Sequence, residues 1–296
     1  VHQIYAGLDY SISETKDTSY SFYAEGFSNQ DLSFIGNAYG YPENSRPSGD
    51  KKISRRVGFT GNINYSYDNR YLIDLSYRID GSSQFGANKR YAPFWSLGLG
   101  WNLHHEKFMQ AVPAINYLKL RASIGETGAM DFAKSAVVTM YNYYPGEMYA
   151  NWNSAHLQGL GNENLTWQTT ETKNIGLDFQ LFDNRIFGKF DLYSKVTKDL
   201  VSNMNIPLSM GFSSYSENVG EVENKGFEMS LGTFIVRNRD VNWSINGQLI
   251  YNKNRITKLS DAIYAQNETL MAGSDISDTQ PATLLYEGRP QYGFYV

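Results

Sequence analysis

The chain has 296 residues, with 26 Lys and Arg against 30 Asp and Glu, a formal net charge of −4 and no cysteine. This excludes a disulfide framework, thiol catalysis and cysteine metal sites; with a pI near 5.6 and no long run of like charges, it also excludes a basic nucleic-acid-binding surface. Mean hydropathy is −0.46, and no apolar run approaches the roughly 18 residues of a membrane helix.

The chain opens directly in a strand pattern: in residues 1–12, VHQIYAGLDYSI, Ile4, Ala6, Leu8, Tyr10 and Ile12 fall in phase. No charged n-region or apolar h-region precedes them, so the opening reads as mature sequence from inside a larger protein. The clearest pattern runs from Arg56 to Asp80. Val57, Phe59, Gly61, Ile63, Tyr65 and Tyr67, then Tyr71, Ile73, Leu75, Tyr77 and Ile79, alternate with Arg56, Thr60, Asn62, Asn64 and Ser66, then Asp74, Ser76, Arg78 and Asp80. The period is two rather than that of a helix, predicting two strands at 55–67 and 71–80 joined by a tight turn. Each covers about ten residues, longer than the usual soluble strand of roughly five or six and matched to the roughly 9–11 that cross a bilayer at a tilt.

Further strands are predicted at 95–103, 118–127, 166–182, 186–199, 225–236 and 242–253, nine in all. Trp95, Leu97, Leu99, Trp101 and Leu103 alternate with small or polar residues, as do Ile175, Leu177, Phe179 and Leu181, and Trp243, Ile245, Leu249 and Tyr251. In 186–199 the pattern weakens, because Tyr193 falls on the polar side.

The connections alternate in length. Residues 13–54, 81–94, 128–165 and 200–224 read as long loops, whereas 68–70, 183–185 and 237–241 are tight turns rich in Asp, Asn and Arg, with 104–117 the one longer member of the short set. Antiparallel neighbours put successive connections at opposite ends, so all the long loops fall on one side. Outer-membrane barrels have that asymmetry, and their lipid-facing and lumen-facing residues average out in hydropathy. The 23 Tyr and 5 Trp suit a membrane boundary, having apolar rings with polar tips. The expected fold is therefore all-β, an antiparallel transmembrane β-barrel wall. Nine strands leave two edges that lipid does not tolerate, so further strands are expected elsewhere. Two alternatives stay open: a soluble all-β binding or adhesion module whose alternating face is a sandwich core, and a passive porin.

The chain resembles SusC-like (RagA-like) TonB-dependent transporters of the Gram-negative outer membrane. The resemblance rests on YSYDNRYLIDLSYRIDGSSQFGANKRYAPFWSLGLGWNL at 65–103, LKLRASIGETG at 118–128, NENLTWQTTETKNIGLDFQLFDNRIFGKFDLYSKVTKDL at 162–200, NVGEVENKGFEMSL at 218–231 and LLYEGRPQYGFY at 284–295. It implies a barrel of about 22 strands with a plugged lumen, of which residues 1–296 form part, without the plug. It also implies contact with the TonB complex through an N-terminal region absent here. The implied activity is import of oligosaccharides or peptides, in partnership with a SusD-like surface lipoprotein and without a cofactor.

The four histidines are His2, His104, His105 and His156. Adjacent His104 and His105 point to opposite sides of an extended chain, and only Glu106 lies nearby, so a solvated connection is the simpler reading than a metal site. No nucleophile elbow, phosphate-cradling loop or zinc motif occurs, and no enzyme activity is expected. The charged residues assigned to the polar face are Arg56, Asp74, Arg78, Asp80, Lys119, Arg121, Glu126, Glu171, Lys173, Asp178, Lys189, Asp191 and Glu228. Arg56, Asp74, Arg78, Arg121 and Asp178 are the ones expected to face a lumen. With both signs interspersed they hydrate the interior and pair with a plug more readily than they select one ionic substrate. In the long connection, YNYYPGEMYANWN carries Tyr141, Tyr143, Tyr144, Tyr149 and Trp152. Such rings pack within their own loop, anchor the lipoprotein, or stack on substrate.

Overall fold

In the computed structural model the strands, in chain order, are β1 (His2–Ser21), β2 (Ser48–Tyr67), β3 (Tyr71–Ser82), β4 (Tyr91–Asn102), β5 (Ile115–Ala129), β6 (Met140–Tyr149), β7 (Trp152–Gly159), β8 (Gln168–Leu181), β9 (Ile186–Asn205), β10 (Ser214–Arg237) and β11 (Asn242–Leu259), followed by helix α1 (Asp261–Ala272). The structure describes all residues except 30, 32, 44, 46, 86–88, 110, 130–136, 138, 206–210, 212–213, 273–283 and 292–296, and the side chains of 142, 144–147, 149, 158, 205, 214, 269 and 272. Nine strands form one open antiparallel sheet in the order β1-β2-β3-β4-β5-β8-β9-β10-β11, and β6 and β7 form a separate hairpin. Neighbours in the sheet are neighbours in sequence apart from that hairpin, so the connections alternate between ends as expected.

Several strands outrun the predicted ones. β1 and β2 stay paired from His2↔Tyr67 to Ser21↔Ser48, so much of the loop predicted at 13–54 is sheet. Residues such as Glu14, Lys16, Asp17, Asp50 and Lys52 are polar on both faces. A ribbon with water on both sides needs only its backbone ladder, and the period-two signal disappears. β9 and β10 lengthen likewise, from Ser214↔Asn205 inward. There, register shifts between Asn218/Gly220 and Gly220/Val222 and a left-handed Asp199 at φ 54° mark bulges that break the alternation. The long connection 128–165 contains the β6–β7 hairpin, whose turn residues Ala150 and Asn151 both have positive φ, 47° and 72°, as tight hairpin turns require.

The sheet has two chemically distinct faces. A straight cross-strand row runs Tyr71, Trp101, Leu120, Leu177, Phe190, Met229 and Leu249. The opposite face carries Asp74, Gly98, Ser123, Asn174 and Tyr193. That row starts at the first residue of β3 but reaches β10 in mid-strand, the stagger of tilted strands in a barrel wall. Tyr193 belongs on the polar face: its hydroxyl bonds Asn252 Oδ1 at 3.2 Å, and Gly226 leaves room for its ring.

Among the described residues no second sheet or helical layer covers the apolar face, where Ile73 is 39% and Ile175 58% exposed. A sandwich core would place such a layer against this face. Buried apolar clusters instead gather at the long-connection end. Met204, Val219, Val222, Ile256, Leu259 and Ile263 join α1 to β9–β11, Phe85 and Phe94 enclose Trp167, and Val137 packs on Leu165. At the other end Asp68, Asn69, Asp183 and Asn184 take left-handed backbone, φ 49° to 61°, which Asp and Asn tolerate best after glycine.

Candidate functional site

The polar face is built around Arg121. Its guanidinium donates twice to Asp178, from Nε and Nη2 at 2.9 Å each, and Nη2 also reaches Asp191 at 3.1 Å. Asn174 Nδ2 donates to Asp191 at 3.0 Å. Two aspartates on a single arginine, placed from β5, β8 and β9, are held at a spot where a Cβ on Gly176 would meet both Arg121 and Asp191. Glycine is therefore required there for close approach. Asp74 accepts from Asn64 Nδ2 at 2.5 Å, and Arg78 pairs with Asp80 at 2.6 Å beside Gly58. Arg56 lies exposed on the same face, opposite Ser13 and Ser82. All five charged residues singled out from the sequence thus share one face, and the structure brings Arg121 and Asp178 into direct contact.

Three of the wider set do not belong there. Glu126, Glu171 and Lys173 are in phase with Ile124 and Ile175 and project from the apolar face; Glu126 lies directly opposite Glu171, and Lys173 opposite Ile124. The alternation does not change at these positions. The outward face simply turns from apolar to charged past the last isoleucines, and reading charge as a marker of the polar face obscured this.

The apolar face has an aromatic border near the turns. Tyr67 stacks on Tyr71 with centroids 6.3 Å apart, and Tyr71 on Trp101 at 6.2 Å. The polar tips of Tyr71 and Trp101 converge on Glu106, which accepts from Tyr71 Oη at 2.9 Å and Trp101 Nε1 at 3.0 Å. These two donors, with Arg70 close by, hold the Glu106 carboxyl below the ordinary carboxylate range. Toward the other end of β4, Trp95 lies opposite Tyr77, so tryptophans bracket Leu97 and Leu99. Glu106 follows a short 3-10 turn, Leu103–His105. Within that turn His104 Nδ1 lies 3.1 Å from Leu118 O and its ring 4.7 Å from Tyr117. Among the described residues no group of three or more His, Asp or Glu is placed to hold a metal ion.

The aromatic segment of the long connection forms the hairpin. Tyr141 lies opposite Leu157, Tyr143 opposite Ala155, and Tyr149 opposite Trp152. Tyr141, Tyr143 and Trp152 are 59%, 72% and 78% exposed, which disfavours packing within their own loop. The side chains of Tyr144 and Tyr149 lie outside the described residues. The hairpin base is tied to the wall by groups that carry no sequence signal: Asn162 Nδ2 donates to Ser216 O at 3.0 Å, Thr166 N to Asn218 Oδ1 at 3.0 Å, and Asn218 Nδ2 back to Thr166 O at 3.3 Å.

Comparison with known proteins agrees with this architecture. The family model described as TonB dependent receptor-like, beta-barrel, matches residues 1–288. The TonB-dependent receptor SusC of Bacteroides thetaiotaomicron is 36% identical over 210 residues, covering 69% of this chain and 21% of its own length. A TonB-dependent receptor of Formosa agariphila is 39% identical over 199 residues, covering 67% of this chain and 19% of its own. Among solved structures, the RagAB peptide transporter superposes with a TM-score of 0.77 at 28% identity, covering 88% of this chain and 29% of that one. The chain therefore spans about a fifth of the length of these curated relatives.

Proposed function

This chain belongs to the TonB-dependent receptor-like β-barrel family, and from that premise we propose that it supplies part of the wall and outer loops of a TonB-energised nutrient importer in the outer membrane of a Gram-negative bacterium. The apolar face meets lipid and the polar face lines the lumen. The long connections, the β6–β7 hairpin and α1 lie outside the cell, and the turns at 68–70, 183–185 and 237–241 face the periplasm. The observation that carries this reading is the partition of one nine-stranded sheet into a bare apolar face with aromatic borders and a hydrogen-bonded charged face. The Arg121–Asp178–Asp191 cluster hydrates the lumen and meets a plug contributed by other parts of the protein. Oligosaccharides or peptides are the cargo, a SusD-like lipoprotein is the partner, and the exposed Tyr141, Tyr143 and Trp152 are its docking residues.

Topology is testable with single cysteines in the full-length protein, one at Asn153 beyond the hairpin turn and one at Asp240 in the β10–β11 turn. On intact cells an impermeant thiol reagent should label the first and spare the second until the outer membrane is opened. Equal labelling would overturn the assignment of sides. Uptake of labelled oligosaccharide or peptide should stop when TonB energisation is removed; uptake that persists would favour a passive porin.

A further inference from the structure

On the apolar face the chemistry changes within one cross-strand step. The row Leu99, Ala122, Ile175, Leu192 is aliphatic, and the next row toward the long connections reads Ile124, Lys173, Ser194, Lys225, Lys253. Ala122 is short between Leu99 and Ile175, and the trough it leaves is part of a groove of about 480 Å³ whose lining also includes Lys173, Ser194 and Lys225. That volume is within the range of roughly 300–1,000 Å³ typical of small-molecule sites.

We propose that this groove and the lysine row above it bind one phosphate-bearing lipid of the surrounding bilayer, with an acyl chain over Ala122 and the phosphate across Lys173, Ser194, Lys225 and Lys253. The inference rests on the membrane reading above. Three features select this occupant. Lys225 and Lys253 stand directly opposite each other, a like-charge pairing that is unfavourable in a sheet and that an anion lying across both relieves. Lys253 has no ion-pair partner among the described residues, and over the lysine row and the row beyond it, Glu126, Glu171, Val196, Glu223 and Arg255, the four cations Lys173, Lys225, Lys253 and Arg255 outnumber the three carboxylates. All three glutamates sit one step beyond the lysines, Glu171 pairing with Lys173 at 2.5 Å and Glu223 with Lys225 at 2.6 Å and Arg255 at 2.7 Å, so the cations rather than the carboxylates adjoin the groove. The lysine side chains remain 59% and 56% exposed. The order along the strands, aliphatic groove and then cations, is that of a lipid's own chain and headgroup, and a free anion would have no use for the groove.

The full-length protein, delipidated in neutral detergent and placed in phosphatidylcholine nanodiscs, should retain phosphatidic acid over added phosphatidylcholine by at least about ten-fold, less at high salt. Replacing Lys173, Lys225 and Lys253 together by Gln should abolish the preference. Ala122→Phe, or Ala122→Leu if the larger ring hinders assembly, should weaken retention with the charges intact. Equal binding of the two lipids, an unchanged preference in the triple variant, or full displacement by inorganic phosphate would each overturn the proposal. Heat-dependent gel mobility of each variant reports barrel assembly separately. A wild-type protein that needs no detergent defeats the membrane reading, whereas an assembled barrel without preference defeats only the lipid site.

Discussion

From Tyr71 to Ile79 on β3, every second side chain is apolar and between 39% and 50% exposed, while at the long-connection end of β9–β11 Met204, Ile256 and Ile263 are 2–4% exposed. The two regions belong to one sheet, yet one is closed by burial within the chain and the other is left bare. A wall that spends its apolar side chains outward is held by its ladders and by the polar network on its other face. The far end is held as a soluble domain is, by clusters that α1, Phe85 and Leu165 complete. On the membrane reading proposed above, the difference locates where lipid takes over from protein as the apolar partner.

The sharpest way to break the comparison is a cavity at the sealed end. Ile256 is 2% exposed, among residues of α1, β9 and β10, and burying Ala in its place should cost about 2–5 kcal/mol. The loss should be local: in the full-length protein, hydrogen exchange or proteolysis should open α1 while barrel assembly survives. If Ile256→Ala prevented assembly, the end and the wall would be one cooperative unit.

In the wall, an Arg on the lipid side near the bilayer midplane costs roughly 2–4 kcal/mol. Ile73→Arg should therefore reduce the assembled fraction, scored by heat-dependent mobility, while Asp74→Arg, one residue away on the charged face, should assemble. Equal assembly of the two would sink the facing assignment.

What the sequence made legible follows the same division. β2, β3, β4 and β8 could be read because one apolar and one polar face impose a strict period of two on residues such as Ile73 and Asp74. The outer halves of β1 and β2 could not, since Lys16, Asp50 and their neighbours face water on both sides. The β6–β7 hairpin escaped notice for a related reason: its signal is a two-residue turn, Ala150–Asn151, without the glycine that usually announces one. The Arg121 cluster was half visible. Both aspartates and the arginine were identified as polar-face residues, but their meeting depends on a register that brings β5, β8 and β9 together around Gly176. Glu126, Glu171 and Lys173 were assigned to the wrong face because charge was given more weight than parity.

A smaller and more conditional effect is expected at the hairpin. If Tyr141, Tyr143 and Trp152 anchor the lipoprotein, replacing all three with Ala should weaken the complex by more than about 2 kcal/mol, as read by co-purification or titration, with assembly unaffected. An intact complex with reduced uptake would reassign the rings to cargo, and no change in either would leave them without a role in binding.

The smallest effect belongs to the aromatic border at the turns. Glu106 is held below its ordinary range by Trp101 and Tyr71, with Arg70 contributing. A carboxyl whose folded pKa is depressed lends stability that is fully present above the unfolded value of about 4.3 and is lost as pH falls through the lower, folded one. Glu106→Gln keeps an oxygen that accepts from both rings but removes the charge. Wild type should therefore unfold at a slightly higher urea concentration than the variant at neutral pH, and the gap should close only on acidification below the ordinary glutamate range. A gap that is constant with pH would mean that packing of Tyr71 on Trp101, rather than the carboxylate beneath them, fixes the border; a gap that closes would place charge at the water side of the rings.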